Sequence, residues 1–466
     1  MKLILEKEKK FQFTDQLIFA KISGDFNPIH LDRNYARRSI SGDIAVHGIN
    51  LVFWGLDIFL KFKKIKIKIT KINIIFSKFV NINQKVKIKI FQNNNKVLFN
   101  FFESDIPAAQ FEIQYLEFLK TQYTNLNKKF IKKKPSATKF KNLKVGKKFV
   151  ENFAINNQLF KKKFLHIYKY LNFNQIIDFV TVTRLVGMNV PGEDSILSKL
   201  DLFYKLNNVV KSEIKITSID KRFSLINLYY VGKNLSGNIR TLMRPKKINQ
   251  TIQNKKLKIN KREFSKQRAL IIGGSKGLGE ATVKILCSGS AKILFSYFNG
   301  KKDAVQHRRG FEKNIKIFHL NIEKELNSKI SRNIKKFKPT HLYYFATPRI
   351  FTGNGYDFRE KNFTTFNNYY ITGFKRIFDL LDKKILQSVF FPSSVAINEA
   401  TSKLCEYACS KAAQEILLKY LNEKYKKIYF SYPRLPRLKT DQTLSILDHK
   451  SQLPFRRLLN FVRKLR

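Results

Sequence analysis

An acid and an imidazole stand close together near the start of the chain. Asp25 and His30 flank an Asn27-Pro28 step. Free carboxylates and imidazoles have pKa values of about 3.9 and about 6.5, so this pair can divide the roles of acid and base near neutral pH. Because proline restricts the backbone, we expect both side chains to face one cleft. The chemistry indicated is addition or removal of water across a double bond.

A second feature of this region could hold negative charge on a reacting oxygen. An apolar, helix-like run extends from Gly48 to Phe62 and follows directly after His47. A backbone N–H at a helix start can bind an oxygen that gains charge during a reaction. The alternative is structural, with Asp25 as a helix cap and His30 as a partly buried, hydrogen-bonded histidine. Asp32 is expected to be structural in either case.

The whole pattern resembles a known enzyme loop. The run from Ser23 to Asp32, followed by Ala36 and then His47-Gly48, resembles the hydratase loop of MaoC-like (R)-specific enoyl hydratases. The resemblance implies a hot-dog fold, catalytic Asp25 and His30, and a Gly48 N–H that holds the thioester oxygen. It also implies an acyl thioester substrate, carried by coenzyme A or an acyl carrier protein.

A glycine-rich turn in the C-terminal part of the chain suggests a nucleotide site. It follows the apolar run 268–272 and precedes a helical stretch. Glycines at such a turn let the backbone approach a pyrophosphate at a helix N-terminus. The candidate cofactor residues in this turn are Gly273, Ser275, Lys276, Gly277, Leu278 and Gly279.

Three side chains farther along could transfer a proton. Tyr407 and Lys411 are four residues apart, so they share one helix face. The lysine cation is expected to lower the pKa of the phenol. Ser394 follows a predicted strand, where its hydroxyl could bond the same substrate oxygen. In this order the residues resemble the short-chain dehydrogenase/reductase family, which implies catalytic Ser394, Tyr407 and Lys411, the last two also contacting the cofactor.

The same resemblance places further cofactor contacts at Tyr297, Asn321 and Ala346. No acid follows the second strand, and Lys276 could meet a 2′-phosphate, so NADP(H) is preferred and NAD(H) stays open. Several positions depart from the family pattern. Asn321 replaces an aspartate, the stretch from Ala346 to Pro348 replaces Asn-Ala-Gly, and Tyr370 aligns with the relay asparagine.

The elements that must position these residues form a multidomain chain. An N-terminal α+β hot-dog region precedes an α/β Rossmann-type, doubly wound parallel sheet. The first region has alternating strands at 64–69, 85–90 and 97–101 around the central helix. We predict a hydratase domain over 1–120, a solvated linker over 121–144, a degenerate hot-dog-like domain over 145–247, a second linker over 248–262 and a reductase domain over 263–466.

The degenerate domain repeats the plan weakly. A helix is predicted from about Asn174, followed by a turn from Gly187 to Ser195 and by strands at 200–204, 212–216 and 225–230. It has no Asp-x-Asn-Pro-x-His loop. By resemblance it is the non-catalytic half of a double hot-dog.

Composition limits the partners and compartment. A net charge of +56 would attract phosphate-rich partners. Lysine is spread along the whole chain together with Ile, Asn and Phe, which indicates compositional bias rather than a nucleic-acid-binding face. The three cysteines form no disulfide framework, and neither a signal peptide nor a membrane span is apparent. We expect a cytoplasmic protein with no metal, and homo-oligomerisation stays open.

The motifs together predict a bifunctional acyl-thioester enzyme. A reductase converts 3-oxoacyl to (R)-3-hydroxyacyl thioester with NADPH, and a dehydratase then forms the trans-2-enoyl product, or the pair runs backwards. One alternative is a single-activity reductase with a non-catalytic hot-dog scaffold. Another is a basic nucleic-acid-binding protein on a retired enzyme fold.

Overall fold

The chain folds into two compact units. A computed structural model describes residues 1–118, 127–250, 258–309, 311–351, 358–399, 402–446 and 451–465. Unit 1 comprises Met1–Lys246 with Ser445–His449, and unit 2 comprises Lys247–Leu444 with Lys450–Arg466. Within the described ranges, no helix is both long and apolar enough to cross a membrane.

The first half of unit 1 is a helix wrapped by an antiparallel sheet. In β3, Val86, Ile88 and Ile90 are buried while the intervening lysines lie on the other face, which is the alternation expected of a half-buried strand. The buried rows pack against the apolar helix α4. The elements are β1 (Lys2–Lys10), α1 (Phe13–Ser23), α2 (Pro28–Leu31), α3 (Arg33–Ala36), α4 (Gly48–Lys63), β2 (Ile67–Phe76), β3 (Lys85–Asn93), β4 (Lys96–Glu103) and β5 (Ile106–Glu117).

The second half repeats this arrangement and shares the sheet. Strand β2 pairs antiparallel with β7, so one ten-stranded sheet runs in the order β1-β3-β4-β5-β2-β7-β10-β9-β8-β6. Its elements are β6 (Lys148–Asn152), α5 (Asn157–Lys163), α6 (Leu165–Tyr170), α7 (Phe173–Arg184), a π-helical turn (Leu185–Asn189), β7 (Ser195–Tyr204), β8 (Lys211–Asp220), β9 (Leu225–Val231) and β10 (Leu235–Met243).

Several elements of unit 1 were not predicted from the sequence or differ from the prediction in their bounds. A strand, β1, precedes the first helix, and β2 begins at Ile67 rather than Lys64. The turn expected from Gly187 begins as a π-helical continuation of α7. The linker expected over 121–144 lies partly outside the described residues. Its described part is not simply solvated, because Phe130 packs over Gly24 and Arg184.

Unit 2 is built on a parallel sheet of six strands. Their order is β13-β12-β11-β14-β15-β17, which is the doubly wound arrangement. Its strands are β11 (Arg268–Ile272), β12 (Lys292–Tyr297), β13 (Ile315–His319), β14 (His341–Tyr344), β15 (Ser388–Phe390) and β17 (Tyr429–Ser431), and β16 (Ser393–Ser394) pairs with β18 (Arg434–Leu435) outside the sheet.

Helices and turns connect these strands and pack on the sheet. In chain order they are α8 (Gly277–Ser288), α9 (Lys301–Arg308), α10 (Ser328–Phe337), α11 (Glu360–Asn367), a π-helical turn (Asn368–Gly373), α12 (Phe374–Leu380), α13 (Ala396–Glu399), α14 (Cys405–Lys424) and α15 (Phe455–Lys464).

Candidate functional site

The Asp25 loop is shaped by two helix ends. Helix α1 stops at Gly24, whose φ of +78° is the left-handed conformation that glycine adopts without strain. Three residues later the Asn27 side chain caps α2 by accepting from the Ile29 N–H at 3.2 Å, and Pro28 occupies the first helical turn. Asp25 and His30 therefore lie on either side of a tight and fully capped turn.

Contacts from the second half of unit 1 hold this loop. The Asn27 amide donates to the carbonyl oxygens of Gly187 and Gly192, each at 3.0 Å. The buried Arg184 guanidinium donates to the Ser23 carbonyl at 2.7 Å. Arg244, also buried, lies 3.4 Å from the Asn27 Oδ1. The loop geometry thus depends on residues more than 150 positions away.

Asp25 is buried, and each oxygen of its carboxyl group accepts a hydrogen bond. Its carboxyl group accepts from the Thr183 hydroxyl at 2.8 Å and from the Asn27 N–H at 3.2 Å. The residue is only 2% exposed. Burial penalises the charged form and raises the pKa of Asp25 to about 6, although these hydrogen bonds and Arg184 oppose the shift. The carboxyl group therefore titrates close to neutral pH.

A hydrogen bond defines the tautomer of the His30 ring. Its Nδ1 lies 2.7 Å from the Ala45 carbonyl oxygen, so Nδ1 carries the proton and Nε2 is left as the base. Burial lowers the pKa of His30 to about 4, against the effect of this hydrogen bond. His30 is consequently a neutral base over most of the pH range in which Asp25 gains or loses its proton.

Asp25, His30 and His47 offer potential ligand atoms within 4.8 Å of one another, which is a spread that a metal ion could bridge. However, His30 Nδ1 and both ring nitrogens of His47 are at hydrogen-bonding distance from oxygen atoms. The arrangement fits acid–base chemistry better than metal ligation, and the absence of a metal stays a prediction.

Asp25, His30 and Gly48 line a cavity of about 180 Å³. Gly48 is the first residue of α4, where a backbone N–H has no intrahelical acceptor. A side chain at this position would collide with the Phe76 ring at 2.7 Å. The remaining wall is mostly apolar and includes Ile29, Leu51, Phe79, Val186 and Leu242. The cavity therefore combines a few polar groups with a mostly apolar wall.

The second half of unit 1 contributes to this site directly. Thr183 and Gly187 line the same cavity as Asp25, and Thr183 binds its carboxyl group. No role was predicted from the sequence for either residue, because this half lacks an Asp-x-Asn-Pro-x-His loop. The turn at Gly187 was the available signal, but its proximity to Asp25 is a tertiary contact that spacing does not reveal.

Substituting alanine for Gly187 tests this contact. An added Cβ would lie 2.4 Å from the Asp25 Oδ1, so the carboxyl group would have to move. Displacement by about 1 Å at a reacting group can lower the rate by about 100-fold. We expect kcat/KM for hydration of a crotonyl thioester to fall by about that factor. A loss below threefold would contradict a role for the Gly187 contact in positioning the Asp25 carboxyl group.

The glycine turn of unit 2 has the shape of a phosphate-binding loop. Gly273 has a φ of +87° and Gly277 a φ of +62°. A Cβ at Gly279 would lie 2.1 Å from the Gly273 carbonyl oxygen, so the turn requires glycine there. Lys276 is the N-cap of α8. The turn thus presents backbone N–H groups at a helix start, as dinucleotide sites do.

The predicted proton-transfer residues are only partly brought together. Ser394 lies near enough to the Tyr407 phenol to lower its pKa, in opposition to burial. Lys411 lies one turn along α14, but its ammonium donates to the Pro392 carbonyl at 2.9 Å and to Gln414 at 2.7 Å, and lies 4.1 Å from the Tyr370 ring centroid. The lysine is oriented toward these groups rather than toward the phenol.

This orientation corrects one sequence-based expectation. Lys411 was expected to lower the pKa of Tyr407, but burial raises that pKa, and the opposing effect comes from Ser394. Burial also lowers the pKa of Lys411 to about 7. The expectation is wrong for this conformation because Pro392 and Gln414 take the ammonium's hydrogen bonds.

Two departures from the reductase pattern contact each other. The Thr347 hydroxyl lies 2.6 Å from the Tyr370 hydroxyl. Of the other predicted cofactor residues, Tyr297 ends β12, Asn321 follows β13 and Ala346 follows β14, all at the carboxyl edge of the sheet. His307 was not predicted from the sequence, and its Nε2 lies 3.1 Å from the carbonyl oxygen of Ser275 in the glycine turn.

Comparison with known proteins bears on the two units separately. The family model described as MaoC like domain matches residues 1–105, which contain Asp25, His30 and Gly48. No curated protein matches the chain.

Similar solved structures include a protein described as a short-chain dehydrogenase from Pseudomonas syringae, with 13% identity and a TM-score of 0.40 over 44% of this chain and 91% of that one. A protein described as a 3-oxoacyl-reductase from Bacillus thuringiensis has 16% identity and a TM-score of 0.36 over 42% and 89%. BdcA in complex with NADPH has 16% identity and a TM-score of 0.37 over 44% and 88%. Residues 1–105 thus carry a MaoC-like domain, whereas the parallel strand order, rather than these distant likenesses, defines the fold of unit 2.

Proposed function

We propose that unit 1 hydrates trans-2-enoyl thioesters and dehydrates (R)-3-hydroxyacyl thioesters, and that unit 2 interconverts 3-oxoacyl and 3-hydroxyacyl thioesters with NADP(H). The observation that carries the proposal is the cavity in which Asp25, His30 and the start of α4 converge. Its apolar wall suits an acyl chain, and its polar groups suit the thioester carbonyl and a water molecule.

The hydration step uses one proton shared by the acid–base pair. His30 Nε2 accepts a proton from water as the water oxygen bonds to C3 of the enoyl group. The electron pair moves to the thioester oxygen, where the Gly48 N–H stabilises the enolate. Protonated Asp25 then delivers its proton to C2. The proton left on His30 passes to Asp25, because the pKa of Asp25 is higher.

Because the pair shares one proton, the hydration rate should depend on pH in a defined way. Both directions need the pair to hold one proton, a condition met between the pKa of His30, about 4, and that of Asp25, about 6. We expect kcat/KM for hydration to be highest between these values and to fall about tenfold per unit above the upper one. Initial rates from pH 4 to 9 provide the measurement. A rate that increases from pH 6 to pH 9 would contradict the assigned roles.

The reductase proposal rests on the glycine turn and the Tyr407–Ser394 pair. In this proposal the turn with Gly273, Gly277 and Gly279 binds the pyrophosphate, and Lys276, the N-cap residue of α8, contacts an adenosine 2′-phosphate. When bound, the nicotinamide supplies a hydride to the 3-oxo carbon. Tyr407 donates a proton to the resulting oxygen, and Ser394 holds that oxygen in place.

Assays of the wild-type protein test the proposal directly. Crotonyl and acetoacetyl thioesters would each be supplied on coenzyme A and on acyl carrier protein. The acetoacetyl thioesters would be supplied together with NADPH or NADH. We expect hydration of the first substrate and nicotinamide-dependent reduction of the second, with preference for NADPH. If the protein turned over neither substrate on any carrier, the bifunctional assignment would be rejected.

One observation favours a second candidate function. Lys411 is turned toward Pro392 and Gln414, and the Tyr407 phenol is buried with a raised pKa. A unit with this arrangement could bind a nucleotide without transferring hydride, which would leave the hydratase as the single activity. NADPH binding by fluorescence titration, together with no oxidation of NADPH by acetoacetyl thioester, would identify this case.

A further inference from the structure

A second histidine lies directly behind the proposed catalytic pair. His47 is the N-cap residue of α4 and is 0% exposed. Its imidazole stacks on that of His30, with ring centroids 3.8 Å apart and planes 24° apart. The Phe19 ring lies 4.9 Å from His47. His30 therefore has a rigid ring, itself backed by a buried phenylalanine, against one of its faces.

His47 also contacts the backbone of the catalytic acid. Its Nε2 lies 3.2 Å from the Asp25 carbonyl oxygen, and its Nδ1 lies 3.0 Å from Gln16 Oε1. The His47 main-chain N–H donates to the same Gln16 oxygen at 3.1 Å. This residue thus touches the main chain of Asp25, the ring of His30 and a buried amide at once.

The hydrogen bonds define how Gln16 and His47 are oriented. Because Gln16 Oε1 accepts from the His47 main chain, the amide must present its oxygen to the imidazole. Both His47 nitrogens then face acceptors, whereas a neutral ring can donate to only one. Burial, with a contribution from His30, lowers the pKa of His47 well below its ordinary range, so the ring is neutral.

We propose that His47, held by Gln16, is a positioning residue that fixes the plane of the His30 imidazole and the main chain of Asp25 during hydration. The inference rests on the proposed hydratase function. A purely space-filling side chain in this interior would be apolar, since a buried imidazole and a buried amide both require hydrogen-bond partners. Here the Asp25 carbonyl oxygen and the Gln16 Oε1 face the two imidazole nitrogens, and the ring donates to one of them.

Two substitutions separate the contacts of His47. His47→Phe retains a ring against His30 but removes the hydrogen bonds, and His47→Gln can still donate to the Asp25 carbonyl. We expect His47→Phe to lower kcat for crotonyl-thioester hydration by about 10- to 100-fold with KM changed less than about threefold. His47→Gln should recover part of this loss. His166→Phe, on α6 and outside the cavity, is the matched control and should leave kcat unchanged.

A double substitution tests whether His47 acts through the catalytic acid. In an Asp25→Asn background, His47→Phe should cost less than about threefold, because the group that it positions is already lost. Equal losses in both backgrounds, or an unchanged kcat in a folded His47→Phe protein, would overturn the inference. In either case, hydration of a crotonyl thioester by the wild-type protein would still support the proposed function.

Discussion

Asp25→Asn is expected to lower kcat for hydration of a crotonyl thioester by about 1,000-fold while leaving NADPH-dependent reduction within twofold of the wild type. The amide keeps the size of the carboxyl group but cannot give or accept the transferred proton, and a positioned acid or base contributes about 100- to 10,000-fold. Steady-state rates of both reactions on the same preparation provide the measurement.

Stability separates this result from misfolding. Because burial raises the pKa of Asp25, its ionised form destabilises the folded protein near pH 7. The neutral amide can still accept from Thr183, so the melting temperature should equal or exceed that of the wild type. A large decrease would instead assign Asp25 a structural role.

Tyr407→Phe is the reciprocal control. It removes the phenolic hydroxyl of unit 2, so reduction should fall while hydration persists. If Asp25→Asn reduced both activities equally, or neither, the assignment of separate sites to the two units would be contradicted. If Tyr407→Phe reduced neither, the reductase proposal would fail and the hydratase proposal would remain.

The local part of the site could be predicted from sequence. The interval from Asp25 to His30 lies within one capped turn, so residue order alone brings these groups together. The start of α4 at Gly48 follows from the apolar period of the run after it. The glycine turn before α8 was predictable for the same reason, since strand, turn and helix are consecutive.

The remaining part depends on contacts between distant residues. Thr183 binds Asp25 across 158 positions, and that pairing exists because β2 and β7 join the two halves into one sheet. The orientation of Lys411 is likewise set by the Pro392 carbonyl and by Gln414, not by its spacing from Tyr407. A pattern places residues on a helix face but does not tell which acceptor a long side chain reaches.

The half of unit 1 without the hydratase loop supplies residues to the site around Asp25. It carries Thr183 and Gly187 at the end of α7, and Asn27 and Arg184 connect it to the turn that holds Asp25. Truncating the chain after residue 120 would remove these contacts and expose the edge of β2. The sequence-based division into a catalytic and a non-catalytic half is therefore better described as one site built by both.

Helix α7 is itself anchored by a buried carboxylate. Asp178 is fully buried and accepts four hydrogen bonds at the turn between β9 and β10. Its donors are the Tyr230 hydroxyl at 3.0 Å and the main-chain N–H groups of Lys233, Asn234 and Leu235 at 2.9, 2.8 and 2.9 Å. Gly232 leaves room for the carboxylate, since a Cβ there would lie 2.2 Å from it.

Asp178→Ala is expected to lower the free energy of unfolding of unit 1 by about 3–5 kcal/mol. Four donors would lose their acceptor, and each buried unsatisfied group costs about 1–3 kcal/mol, partly recovered by relaxation or water entry. Urea unfolding followed by circular dichroism gives the value.

Asp220→Ala is the matched control, because its ion pair with Arg222 is largely exposed and should contribute less than about 1 kcal/mol. Since α7 also carries Thr183, hydratase activity should be lost at a lower temperature in Asp178→Ala than in the wild type. Equal stability of the two variants would show that the turn holds α7 without this carboxylate.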